Sequence, residues 1–211
     1  IIRRLISPDF SRIGQVFPAL LETLAIAISA TLIGAFFSLL ASFFAARKLG
    51  AAPLLVYFFK VCINLFRAFP PMITAIIFFR GLGPGPMAAV LSLSIYTFAV
   101  LSKLFYESLE NQESSTLEMA KSLGASAIQT YRFVLLPSQF DRFLALALFR
   151  FESNLRNSAL LGIVGAGGIG QQISMSLQMR AFEKAGLMIL ALAVLIFSFD
   201  RLSARLQKQL R

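Results

Sequence analysis

The sequence predicts an all-α protein that crosses a lipid bilayer several times as a bundle of transmembrane helices. Two features of its composition favour this class: 57% of the 211 residues are hydrophobic and only 14% are charged. Soluble domains carry about 25% charged residues, and one ordinary core could not bury this much apolar surface. The same apolar composition excludes a disordered chain.

The order of the apolar runs predicts five membrane spans within a single transmembrane domain, residues 1–211. The predicted spans are 16–46, 53–79, 87–104, 143–164 and 185–202. A helix needs about 20 apolar residues to cross the hydrocarbon core. The second run contains Pro70 and Pro71, which remove two backbone donors, so we expect that span to bend or break there. The polar stretch 105–142 is predicted to be a loop that contains a helix.

The positions of Lys and Arg predict the orientation in the membrane. Placing 103–142 in the cytoplasm puts ten Lys and Arg residues inside and six outside. Residues 1–15 would then lie outside, although no signal sequence that would export them is visible. We therefore expect another membrane helix to precede Ile1. This distribution accounts for much of the net charge of +10 and disfavours nucleic-acid binding, which requires a water-facing basic patch. With no His and one Cys, we expect no metal site.

A glycine-rich segment at 165–170 fits the pattern G-x-G-x-x-G. A dinucleotide site would also need a βαβ unit and an acidic residue about 20 positions downstream. The nearest acidic residues, Glu183 and Asp200, follow the segment by 13 and 30 positions. We therefore interpret the glycines as a structural loop in which the backbone turns sharply or packs closely. These glycines are Gly165, Gly167, Gly168 and Gly170.

A second motif lies in the polar stretch: E-M-A at 118–120, Gly124 after three residues, and V-L-L-P at 134–137 after nine more. It resembles the "EAA" signature of ABC-importer membrane permeases, with Met119 and Val134 as departures. The resemblance implies a cytoplasmic coupling helix that docks on a separate ATPase subunit. The coupling residues would be Glu118, Ala120, Gly124 and Pro137.

The residue types of this motif suit such a helix. Glu118 near the start of a short helix interacts favourably with the positive end of the helix dipole. Ala120 and Gly124, four residues apart, are expected to form a low-profile face for close packing. We expect Pro137 to end the element before the fourth span.

Two further segments narrow the family. R-F-E-S-N at 150–154 with Arg156, followed by V-G-A-G-G-I-G at 164–170, resembles the permeases of phosphonate ABC importers. Residues 8–11 and 100–103 extend the resemblance over nearly the whole chain. It implies a type I importer permease in the bacterial inner membrane that transports phosphonate, phosphite or hypophosphite.

The resemblance also implies partners: a second permease chain, identical or different, two ATPase subunits, and a periplasmic substrate-binding protein. The sequence contains no G-x-x-x-x-G-K-[ST] phosphate-binding loop. ATP and Mg would therefore bind to the partner ATPase, and the chain itself is predicted to be neither an enzyme nor a cofactor-binding protein.

Several polar residues within the spans are candidates for the translocation path. An isolated charge at a helix centre costs about 2.5–3.5 kcal/mol on insertion scales, so these groups should face protein or water. Glu152 and Arg156, four residues apart with the acid first, are expected to form an ion pair. Two roles stay open, bracing of helix packing and lining of a route for an anion. The candidates are Arg67, Arg150, Glu152, Ser153, Asn154 and Arg156.

Two other functions remain alternatives at this point. Because the coupling signature is shared across importers, the chain could serve another solute such as an amino acid. A membrane-embedded enzyme or an ion channel would need no partner ATPase.

Overall fold

The computed structural model describes residues 13–49, 52–112 and 114–209, and these ranges contain helices and no β-strand. The α-helices are α1 (Ile13–Ala45), α2 (Pro53–Ala68), α3 (Pro71–Leu82), α4 (Pro86–Glu110), α5 (Ser114–Ser122), α6 (Ala127–Gln129), α7 (Leu136–Leu161), α8 (Gly168–Gln178) and α9 (Phe182–Gln209). A 3₁₀ turn lies at Arg47–Leu49, and π-helical turns lie at Thr130–Leu135 and Gly162–Ala166. Residues 8–11, which contribute to the family resemblance, lie outside the described ranges.

Three described helical segments are long and apolar enough to cross a membrane: Val16–Ala45, Pro86–Glu110 and Phe182–Lys208. The number rises to five if each of two bent helix pairs counts as one span. Large apolar side chains cover the outside of the bundle: Phe36, Leu54 and Ile77 are 60%, 80% and 62% exposed. A soluble protein rarely exposes such continuous apolar surface, but lipid covers it at no cost.

The second predicted span is broken at its prolines, as the sequence predicts. Helices α2 and α3 meet at an angle of 84°. Phe69 is extended, with φ −87° and ψ 120°, because a following proline disfavours the helical conformation. Pro71 opens α3, where its missing N–H is not needed. The hydroxyl of Ser92 on α4 donates to the Pro71 carbonyl at 2.5 Å and so holds the break against the bundle.

The first and fourth helices pack closely along each other, and the other helices are arranged around this pair. Ala30 of α1 packs in one apolar cluster with Ala89 and Leu93 of α4, and all three are fully buried. A Cβ on Gly34 would lie 2.6 Å from the Cβ of Thr97, so only glycine permits this approach of α1 to α4. Small residues at helix contacts are typical of membrane bundles.

A cluster of charges joins the middle of α2 to the polar end of α4. Lys60 lies 2.8 Å from Glu110 and 4.5 Å from the centre of the Tyr106 ring. The Glu110 carboxylate also accepts a hydrogen bond from the Arg47 backbone N–H at 3.0 Å. This cluster fixes the α1–α2 connection next to the end of α4, where the polar stretch begins.

Replacing Gly34 by Val should destabilise the bundle, because the added methyl groups would overlap Thr97. Overpacking of this kind costs about 1–3 kcal/mol. Thermal unfolding of the detergent-purified protein measures the loss. Gly81→Ala in α3 is the matched control, since no atom lies within 4 Å of a Cβ there. An unchanged unfolding temperature for Gly34→Val would contradict the tight contact of α1 with α4.

Candidate functional site

Helix α5 carries the first part of the coupling motif and is fixed to the bundle by one face. Leu117 and Ala120 are each only 5% exposed. Leu117 belongs to the same apolar cluster as Phe105 and Leu135. Glu118 and Met119 lie on the other side of the helix and are exposed. Glu118 is the fifth residue of α5 and lies beyond its first turn, so the expected position near the start of the helix is wrong. The helix therefore presents its acidic residue outward while its apolar residues hold it in place.

Gly124 ends α5 in the left-handed conformation, with φ +75°. The Ala125 N–H donates to the Ala120 carbonyl at 3.1 Å and closes the helix end. A Cβ on Gly124 would meet no atom within 4 Å, so the glycine is needed for its backbone conformation rather than for packing. The expected low-profile face formed by Ala120 and Gly124 is wrong, because Ala120 points inward and Gly124 is exposed beyond the helix end.

The motif's proline does not end the element, contrary to the sequence prediction. The backbone stays helical from Ala127 to Leu161 and passes through the π-helical turn at Thr130–Leu135. The Leu136 N–H donates to the Tyr131 carbonyl five residues back. A proline ring clashes with the carbonyl four residues before it, and the wider π turn relieves this clash. Pro137 thus lies inside a continuous helical rod, residues 127–161, that connects the residues of the predicted coupling motif (118–137, the coupling segment) with α7.

Tyr131, which is none of the defining residues of the sequence motifs, attaches this rod to α1. Its hydroxyl donates to the Leu39 carbonyl at 2.7 Å and lies 3.3 Å from the Ser42 hydroxyl. Its ring packs against Phe43 with the ring centres 5.1 Å apart. Because these partners lie about 90 residues away in the chain, no local pattern indicates the contact.

Large apolar side chains of the coupling segment are exposed. Met119, Leu123, Ile128 and Phe133 are 61%, 81%, 66% and 68% exposed. They lie in the polar stretch of the sequence, outside the predicted spans. Exposed apolar residues rimmed by polar ones are typical of protein–protein contact surfaces.

Three of the predicted path residues meet in a buried polar cluster between α1, α4 and α7. Asn154 is fully buried, and its amide donates to the Thr31 and Thr97 hydroxyls at 2.9 and 2.8 Å. Arg150 is 5% exposed. Its Nε lies 3.5 Å from the Thr97 hydroxyl, and its Nη1 donates to Ser153 at 3.3 Å.

The other three candidates lie outside this cluster. Arg156 pairs with Asp200 of α9 at 3.1 Å, both side chains being about two-fifths exposed. The expected Glu152–Arg156 pair is therefore wrong, because packing of α9 beside α7 brings a better-placed carboxylate to Arg156. Glu152 is half-buried and forms no ion pair among the described residues. Arg67 is exposed on α2.

The glycine-rich segment turns the chain by 52° between the long rod and α8. Gly165, Gly167 and Gly168 have φ values of 105°, 85° and 65°, which favour glycine. A Cβ on Gly168 would lie 2.5 Å from the Thr23 hydroxyl. A Cβ on Gly170 would collide with the Ala159 carbonyl. The segment is packed against α1, and it follows a helix where a dinucleotide fold would have a strand.

The family described as "Binding-protein-dependent transport system inner membrane component" matches residues 38–211. The chain belongs to this family. The permease is 32% identical to the "Phosphite transport system permease protein PtxC" of Stutzerimonas stutzeri over 97% of its own length and 74% of that protein. It is also 32% identical to the "Phosphate-import permease protein PhnE" of Mycolicibacterium smegmatis, over 100% of its length and 40% of that protein.

A solved structure of the MetNI methionine ABC transporter in an inward-facing conformation has the same fold. The TM-score is 0.83 at 20% identity, over 96% of the permease and 99% of the solved chain. Family membership and fold together confirm the predicted all-α bundle of the type I importer kind. The permease is a multi-pass inner-membrane component of an ABC transport system.

Replacing Asn154 by Ala should loosen the contact of α7 with α1 and α4. Interhelical hydrogen bonds in membrane proteins are worth roughly 0.6 kcal/mol each, so we expect a loss of about 1–2 kcal/mol. Denaturant unfolding of the purified permease measures it. Asn157→Ala on the same helix is the control, because that side chain makes no hydrogen bond among the described residues. Equal stability of the two variants would contradict a structural role for Asn154.

Proposed function

We propose that the permease forms the translocation path of an ATP-driven importer for a phosphorus oxyanion, such as a phosphonate or phosphite. The observation that carries this proposal is the similarity to a permease named for phosphite transport, which extends over nearly the whole chain. The buried cluster suits such a solute, because Arg150 brings a positive charge and Thr97 and Ser153 bring hydroxyl groups beside it. Arginine and hydroxyl groups are common ligands of phosphate-like anions.

The proposed partners are a second permease chain, two ATPase subunits that hold ATP and Mg, and a periplasmic binding protein that delivers the anion. The exposed apolar residues next to Gly124 support docking of an ATPase subunit at the α5 segment. Glu118 is exposed beside them and adds a charge that a basic partner can recognise. The permease itself performs no bond chemistry in this scheme.

In this scheme, movement of the ATPase subunits is transmitted to the transmembrane helices through the structural connections of the coupling segment. ATP binding brings the two ATPase subunits together and displaces α5. The displacement passes directly into α7 through the continuous helix Ala127–Leu161, and into α1 through the hydrogen bond of Tyr131 to Leu39. Helices α1 and α7 both contribute to the Asn154 cluster, so a movement of either helix changes the surroundings of Arg150. Alternating access to the two sides of the membrane would result.

Uptake into proteoliposomes that contain the complete transporter tests the substrate. With its binding protein present, we expect ATP-dependent uptake of labelled phosphite or methylphosphonate and no uptake of methionine. Omission of ATP is the control and should abolish accumulation. ATP-dependent uptake of methionine without uptake of either oxyanion would contradict the proposed substrate class and favour an amino-acid permease.

Replacing Gly124 tests the docking assignment. Gly124→Ala forces a side chain into the left-handed region at a cost of about 1–2 kcal/mol, a factor of roughly 5–30 in the population of the docking conformation. Gly124→Asp should weaken docking further, because docking would bury its charge among exposed apolar side chains such as Leu123 and Ile128. Glu118→Lys should also weaken docking, because it reverses the charge offered to a basic partner. Co-purification of the ATPase subunit and the stimulated ATPase rate measure the effect. Gly81→Ala is the control, and normal docking of Gly124→Asp would contradict the assignment.

A further inference from the structure

We propose that Arg150 is the residue that coordinates the transported oxyanion inside the membrane, with the hydroxyls of Thr97 and Ser153 beside it. The inference rests on the proposed function and assigns the anion to one side chain among the six candidates. The guanidinium is closed off in this structure, so the site would open when α4 and α7 move apart.

The first observation is an unused donor. Arg150 is 5% exposed, and its Nη2 is buried without a hydrogen-bond partner. Leaving a buried donor unsatisfied costs about 1–3 kcal/mol, and more for a charged group. A side chain that only braced the packing would gain nothing from this donor, and an apolar residue of similar length would fill the same space at lower cost.

The second observation is the absence of a counter-charge. Among the described residues no carboxylate forms an ion pair with Arg150, whereas Lys60 pairs with Glu110 and Arg156 pairs with Asp200. Glu152 is two residues from Arg150, and side chains at that spacing do not face each other on a helix. A buried, uncompensated cation is costly, so an anion that arrived from outside would relieve the cost.

The third observation is that the guanidinium is positioned but weakly held. Its central carbon lies 4.4 Å from the centre of the Tyr96 ring, which orients the plane of the group. Its hydrogen bonds to Thr97 and Ser153, at 3.5 and 3.3 Å, are longer than the usual 2.7–3.2 Å. Such bonds exchange readily for shorter charge-assisted bonds to an oxyanion, which would also take up Nη2.

The remaining candidates are less suited to hold an anion. Arg156 is already neutralised by Asp200, and the amide of Asn154 is used by Thr31 and Thr97. Arg67 is exposed near the end of α2, outside the buried cluster. Of the candidate cations, Arg150 alone combines burial, an unused donor and no pairing carboxylate within the described part of the chain.

The test compares Arg150→Met and Arg150→Lys with the control Arg142→Met, which removes an exposed cation from the same helix. The whole transporter is measured in two ways. The first is ATP-dependent uptake of phosphite in proteoliposomes. The second is the shift of the thermal unfolding temperature that phosphite or methylphosphonate produces in the detergent-purified transporter without its binding protein, with chloride at equal ionic strength as the reference.

We expect the oxyanions to stabilise the wild type and Arg142→Met, and not Arg150→Met. Phosphite uptake by Arg150→Met should fall roughly tenfold or more, the loss typical of a charged hydrogen bond. Uptake and thermal shift of Arg150→Lys should be intermediate, because Lys keeps the positive charge but lacks the planar guanidinium with its paired N–H donors. If Arg150→Met does not assemble, the inference is tested with Arg150→Lys alone. Uptake and thermal shift of Arg150→Lys equal to those of the wild type would overturn the inference.

The outcomes separate this inference from the proposed function. Oxyanion uptake by the wild type that Arg150→Met retains in full would overturn the role of Arg150 and leave the proposed function intact. Absence of any oxyanion-induced thermal shift in the wild type would also overturn that role. An Arg150-dependent thermal shift in a transporter that takes up no phosphite or methylphosphonate would support the anion site and contradict the proposed function.

Discussion

The hydrogen bonds of Asn154 to Thr31 and Thr97 join α7 to the closely packed pair of α1 and α4, around which the rest of the permease is arranged. Inside a bilayer, water does not satisfy a polar group, so these side chains must find each other. They meet because Gly34 has no side chain and lets α1 approach α4 at the level of Thr97. The hydrogen bonds of Asn154 thus depend on the close approach of α1 to α4 at Gly34. Together the two contacts set the position of α7.

The position of α7 decides where the charged groups lie. Residues 150, 153 and 154 fall on one face of this helix, which points into the bundle, while Arg156 points towards α9. Arg150 is buried against Tyr96 as a consequence of this rotation. The same contact that stabilises the bundle therefore keeps a cation inside it, and we assign that cation to the transported anion.

The coupling segment is connected to this centre by covalent and hydrogen-bonded links. The helix that begins at Ala127 continues without interruption to Leu161, and the π turn before Pro137 makes this continuity possible. Tyr131 adds a second attachment, to the carbonyl of Leu39 on α1. A displacement of α5 would then reach two of the three helices that surround Asn154, as the proposed coupling to an ATPase subunit requires.

The fold class, the family and the break at Pro70 follow from local features of the sequence. Run length, motif spacing and proline chemistry are local properties, and each can be read from neighbouring residues. Three-dimensional packing, by contrast, pairs Arg156 with Asp200, buries Ala120 while Gly124 is exposed, and keeps Pro137 within a continuous helix. It also decided that Arg150 lacks a carboxylate partner within the described residues. These features depend on helix rotation and on contacts between residues far apart in the chain, which periodicity and spacing do not specify.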